Sequence, residues 1–147
     1  MTQRRLAPLR SVLIDTSAYF ALFDLDDDHH PRALTILDGI VSHGWYVIVT
    51  SFIVAETHAL LLNRLGYRVA TQFLRDMEHT TTTVEWVTPG DIERARQIIY
   101  QYDDKRFSLT DASSFALMER LHIPYAFTFD RDFAQYGLTA LSPAQFS

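Results

Sequence analysis

Four short apolar runs rich in β-branched or aromatic residues, SVLID, WYVIVT, TVEWV and YAFT, are separated by longer stretches whose apolar residues recur at helical spacing. Parallel strands cannot be joined by tight turns; each pair needs a crossover, which is usually a helix. The alternation therefore predicts a parallel sheet covered by helices on both faces. A chain of 147 residues is long enough for one real core and too short for two comfortable ones, so residues 1–147 are expected to form a single domain.

Local signals divide the chain further. SVLID leads into a helix near SAYFALF, DLDDDHHP forms a polar loop, and PRALTILDGIVSHG is a second helix with Pro31 suited to its first turn. Ser51 is expected to cap the helix SFIVAETHALLLNRLG, Gly66 to end it, and YRVATQFLRDME to continue as another helix. Thr88, Pro89 and Asp91 mark the start of DIERARQIIYQY, and Thr110 or Asp111 that of DASSFALMERL. Gly137 breaks the segment after FDRDF, and a short edge strand is expected around Leu138 to Leu141.

One residue in this pattern is out of place. Glu56 lies one turn into an oily helix, with Phe52 and Leu60 above and below it at four residues and Ile53 and Ala59 close by at three. An unpaired carboxylate buried there would be costly enough to protonate or be replaced, so a compensating group outside the segment is expected. An arginine partner would be the structural solution.

In open α/β sheets the ligand crevice lies beyond the carboxyl ends of the strands. Acids recur there: Asp15 closes the first strand, Asp130 follows the fourth, Asp111 opens the helix leading into the fourth, and Glu56 follows the second. Asp is also a preferred helix cap, so Asp15 and Asp111 have an ordinary structural role open to them, and Asp130 one in a turn. Carboxylates gathered in one place repel, and their pKa values rise unless a cation neutralises them. Mg²⁺ or Mn²⁺ does so with oxygen ligands, and can activate water against a phosphodiester.

The zero cysteine count removes disulfides, thiolate chemistry and cysteine-ligated zinc, and suits a reducing cytosol. The start, MTQRRLAPLRSVLID, carries arginines, but its apolar stretch from Val12 to Ile14 is much shorter than a signal segment, and nothing later spans a bilayer. A cytoplasmic location without membrane association is expected. A net charge of −5 and a pI near 5.6 argue against a broad basic face for nucleic acid, so a polyanionic substrate needs local help. The basic residues are twelve Arg and one Lys, a skew that suits phosphate contact but that a GC-rich genome produces unaided.

LIDTSAYFALF near the start, VAET in the middle, LTDASSFALM late and FTFDRDFAQYGL near the end resemble the motifs of PIN-domain proteins, particularly VapC-type toxin ribonucleases. The resemblance runs from about Val12 to Leu138, in the right order. It implies an α/β/α sandwich around a parallel sheet, Mg²⁺- or Mn²⁺-dependent endoribonuclease activity, frequent homodimers and often a cognate antitoxin. By position, Asp15, Glu56 and Asp111 match the family's three principal acids and Asp130 its fourth, and these four would hold the metal and carry catalysis. Thr16 or Ser17 matches the small hydroxyl residue after the first acid, which would hold water or phosphate. Asp132 fits either an assisting role at the metal or a helix start, and Thr128 either a hydroxyl near the site or a strand residue.

Other features carry less. DLDDDHH packs four Asp and two His into seven residues, yet lacks the Gly and terminal Glu of a calcium loop and reads as a solvated loop. The histidines show no HExxH or paired zinc spacing, and His58 is a helix side chain. Lys105, Arg106 and Arg131 could reach substrate phosphate or simply be solvated. Two other functions compete with a nuclease: a catalytically inert module of the same fold that binds RNA or protein, and a phosphotransfer receiver domain. The receiver is disfavoured, because no adjacent acidic pair accompanies Asp15 and no convincing Lys follows the last strand.

Overall fold

A computed structural model describes residues 10–147. Most of the arginine-bearing N-terminal stretch discussed above lies outside the described residues. The four expected strands are β1 (Ser11–Ile14), β2 (Tyr46–Thr50), β3 (Thr83–Glu85) and β4 (Tyr125–Phe127), and the expected edge strand is β5 (Thr139–Ala140). All pairings are parallel, in the order β3-β2-β1-β4-β5, with Val12 opposite both Val47 and Tyr125. The helices are α1 (Thr16–Phe23), α2 (His30–Ser42), α3 (Ser51–Leu65), α4 (Tyr67–His79), α5 (Pro89–Gln101), α6 (Leu109–Leu121) and α7 (Arg131–Tyr136), and a 3₁₀ turn spans Pro143–Phe146.

The strand order decides where the helices go. From β1 the chain steps outward to β2 and β3, then returns past β1 to β4 and continues to β5. Right-handed crossovers in the two directions put their helices on opposite faces. Accordingly α1 packs on α2 and α3, and α3 on α4, whereas α6 packs on α5 and α7. The result is the three-layer sandwich expected from the sequence. The direction reverses between β1 and β4, so the crevice at their carboxyl ends is open to a ligand.

The burial follows from this layering. Val12, Leu13 and Ile14 in β1 are all buried, as a central strand covered on both faces requires. Helix α6 is buried without interruption from Ala112 to Met118 and packs against α5 and α7. Its Phe115 meets Phe107 and Phe133 edge to face at 5.1 and 5.0 Å and stacks on Tyr136 at 4.6 Å. Truncating such a ring costs about 3–5 kcal/mol, so this cluster fixes α6, and with it Asp111.

Two helix starts differ from expectation. Thr50, not Ser51, caps α3: its hydroxyl accepts the Ile53 amide proton at 3.0 Å, while Ser51 accepts from the Val87 amide and ties α3 to the chain after β3. Ser108, not Thr110 or Asp111, caps α6, and Asp111 closes a capping box from the third position by accepting from the Ser108 amide at 3.3 Å. Gly66 ends α3 with φ +94°, a conformation that favours glycine, and Pro31 lies in the first turn of α2. No helix among the described residues is long and apolar enough to cross a membrane.

Candidate functional site

A cleft of about 170 Å³ opens at the carboxyl ends of β1 and β4. It is lined by Asp15, Thr16 and Ser17 from the β1–α1 junction, Glu56 with Ile53 and Leu60 from α3, Thr110, Asp111 and Ser114 from α6, and Asp130 and Phe133 around α7. Four acids from four separate segments meet in it, as the sequence led us to expect.

Asp15 is the most constrained of them. It caps α1, with its Oδ1 accepting from the Ala18 amide at 3.0 Å and from the Ser17 hydroxyl at 2.7 Å, while Oδ2 accepts from the Thr128 hydroxyl at 2.6 Å. Capping and site roles thus coexist in one side chain. Burial of this carboxyl raises its pKa to about 6, against the lowering effect of those three hydrogen bonds and with a small contribution from the Asp130 charge. Thr128 also accepts the Asp130 amide proton at 2.9 Å, and Ser17 accepts that of Phe129 at 2.9 Å, so the two hydroxyls clamp the β4 exit onto Asp15. Thr128 is therefore a site hydroxyl rather than an ordinary strand residue. Thr16 is buried and its Oγ1 accepts from the Thr57 hydroxyl at 3.3 Å, which braces α1 against α3.

On the other wall, carboxylate oxygens of Asp111, Asp130 and Asp132 lie within 4.8 Å of one another. Burial and then repulsion from Asp130 push Asp111 up to about 7; the same two causes raise Asp132 above the usual carboxylate range. Asp130 caps α7 by accepting from the Asp132 amide at 2.9 Å, so Asp132 is both in the first turn of α7 and in the acidic group.

Glu56 corrects the sequence argument. It is exposed, not buried: Ile53 and Thr57 turn inward, whereas Ala55, Glu56 and Ala59 face out, with Phe52 and Leu60 only half-buried. The expected unpaired buried carboxylate is instead Asp15. Among the described residues no arginine clasps Glu56; an arginine–carboxylate pair instead joins Arg120 to Asp91, 3% exposed, through two hydrogen bonds of 2.9 and 3.0 Å that connect α6 to α5. Burial works against Asp91, but Arg120 and the Thr88 capping groups hold it below the usual carboxylate range.

Ser114 and Thr110 line the cleft without having been singled out. The signal was present: Ser114 is three residues after Asp111 and shares its helix face. Its hydroxyl donates to the Thr110 carbonyl at 3.0 Å.

Comparison with known proteins follows the same line. The PIN domain family model matches residues 12–138. The chain belongs to the PIN domain family. Among PIN-domain relatives, the 23S rRNA-specific endonuclease VapC20 of Mycobacterium tuberculosis is 31% identical over 132 residues, 90% of this chain and 98% of that protein. Ribonuclease VapC26 of the same organism is 28% identical over 120 residues, 82% of this chain and 87% of that one. The crystal structure of VapC20, titled a sarcin-ricin loop cleaving toxin, superposes with a TM-score of 0.84 over 90% of this chain and 99% of its own. FitAcB from Neisseria gonorrhoeae, at 15% identity, matches 90% of this chain and 98% of its own with a TM-score of 0.68, a likeness of fold.

The donor set of this PIN domain fits a hard cation. Every side-chain polar atom of the lining residues is oxygen, with neither thiolate nor imidazole among them. Burial and mutual repulsion already disfavour the ionised forms of Asp15 and Asp111. A dication removes that penalty where an apolar or neutral ligand would not.

Proposed function

We propose that this chain, working as a single domain, is a metal-dependent endoribonuclease and the toxin of a toxin–antitoxin pair. The observation that carries it is the convergence of Asp15, Glu56, Asp111 and Asp130 on one small cleft, in a PIN domain similar over nearly its whole length to an rRNA endonuclease and a ribonuclease. Asp15, Asp111 and Asp130 would hold Mg²⁺ or Mn²⁺, with Glu56 completing the set from α3 and Asp132 assisting beside Asp111. Ser17 and Thr128 position Asp15, and Thr16, which lines the cleft beside it, would hold water near the ion.

A bound ion supplies positive charge that favours ionisation of an attacking water and offsets charge on the phosphodiester. The chain does the rest. Thr128 and Ser17 donate to Asp15 and keep its carboxylate in one orientation, which lowers the cost of bringing reacting groups together. Glu56 is exposed on the cleft wall and is suited to orient the water by accepting its proton in a hydrogen bond. The Ile53, Leu60 and Phe133 side chains limit bulk water around the acids.

Replacing Asp15 or Asp111 by Asn should abolish cleavage of RNA in Mn²⁺ while leaving the fold intact by circular dichroism. Unchanged ribonuclease activity in both variants would refute the assignment. An antitoxin partner and a homodimer are part of the same reading, and a cytoplasmic setting suits it. Growth arrest on expression, relieved by Asp111→Asn, is the expected cellular outcome. RNA retained intact by the native protein in Mn²⁺ would favour an inert binding module instead.

A further inference from the structure

We propose that the stacked pair His29 and Phe129, tied to the cleft residues Ser17 and Asp130, is a platform for one unpaired nucleobase of the RNA beside the cleaved phosphate. The proposal rests on the nuclease function above and names how the substrate is held.

The two rings are nearly parallel, 11° apart with centroids at 4.5 Å. Phe129 is half-buried, stands between Thr128 and Asp130, meets Phe127 edge to face, and has its amide on the Ser17 hydroxyl that donates to Asp15. The stack is thus joined to the site by the same hydrogen bonds that orient Asp15. His29 is exposed to solvent. It is also held in place: its amide donates to Asp27 Oδ1 at 2.8 Å, its carbonyl accepts from Ala33 in the first turn of α2, and the neighbouring His30 ring is bonded to the Ala21 carbonyl at 2.7 Å.

Among the residues lining the cleft the aromatic one, Phe133, is buried, so a base beside the cleaved bond finds no exposed ring to stack on there. Bases in single-stranded or loop RNA expose faces that stack on aromatic side chains, and a rigid ring loses little entropy in doing so. The charge of the surrounding loop separates a base from a phosphate as the ligand. Asp24, Asp26, Asp27 and Asp28 lie in this turn, repelling a phosphate while leaving a neutral base unopposed.

The test uses the native protein and the variants His29→Ala, His29→Phe and His29→Lys, with a fluorescein-labelled single-stranded oligoribonucleotide. Cleavage is followed in Mn²⁺ and binding by anisotropy in Ca²⁺. Stacking predicts that His29→Ala raises both KM and Kd at least about fivefold with kcat unchanged, that His29→Phe retains native values, and that His29→Lys does not. Native KM and Kd in His29→Ala, or rescue by Lys and not by Phe, would overturn the platform while leaving the nuclease function standing. If the native protein binds the RNA through His29 without cutting it, the platform stands and the nuclease function falls; if it does neither, both fall.

Discussion

Substituting Asp15 by Asn should stabilise the protein at neutral pH when no divalent ion is present. In the folded protein this carboxyl has its pKa raised from 3.8 to about 6. A raised carboxyl pKa means that the folded state binds the proton more tightly than the unfolded state does. Stability is therefore unaffected by Asp15 below pH 3.8, falls as pH rises through the interval, and is lower by a constant amount above about 6. At about 1.4 kcal/mol per pH unit the full penalty is about 3 kcal/mol. Asn removes the charge and keeps the shape; its amide nitrogen finds an acceptor when the Thr128 or Ser17 hydroxyl rotates. Asp111 contributes a similar slope, but equally to native and variant, and cancels from their difference. Urea unfolding in EDTA at a series of pH values should show the two proteins alike near pH 4 and the variant ahead by up to about 3 kcal/mol at pH 8, with a midpoint temperature about 2–4 °C higher per kcal/mol. Adding Mn²⁺ should close the gap by stabilising the native protein alone. A native stability independent of pH between 4 and 8, or an Asn variant no more stable than native at pH 8 in EDTA, would refute the reasoning.

Other outcomes follow from the same geometry. At limiting Mn²⁺, cleavage should fall as pH drops through about 7 and then about 6, where protons compete for Asp111 and Asp15, and saturating ion should move the loss to lower pH. Thr128→Val removes a donor to Asp15 and should cost about 1.5–3 kcal/mol at pH 8 by urea unfolding, with Thr128→Ser restoring most of it. Arg120→Ala strips the partner from buried Asp91 and should cost about 2–3 kcal/mol while leaving kcat for RNA unchanged, since neither Arg120 nor Asp91 lines the cleft.

The sheet and its helices were legible because the apolar runs and helical spacings leave little choice. Central strands such as Val12–Ile14 must be apolar on both sides, and Gly66 and Gly137 occupy positions whose φ of +94° and +111° few other residues adopt. The four acids were legible as a set because strand ends and helix starts share one edge of such a sheet. What sequence did not convey was the rotation of each helix about its axis. Glu56 has apolar neighbours at three and four residues in either direction, yet the face it shares with Ala55 and Ala59 looks outward, so adjacency along a helix overstated its burial. Helix starts slipped by one or two residues for a related reason. Thr50 and Ser51, or Ser108 and Thr110, all carry a suitable hydroxyl, and tertiary contacts such as Ser51 with Val87 select among them. The clamp of Ser17 and Thr128 on Asp15 joins residues 111 and 113 positions apart, which no local pattern encodes.

Anomalous diffraction from a crystal soaked in Mn²⁺ tests the central claim most directly. The account predicts a peak in the cleft between Asp15, Asp111 and Asp130, lost in the Asp111→Asn variant. A soaked crystal with no peak there, or with manganese bound only outside these acids, would contradict it.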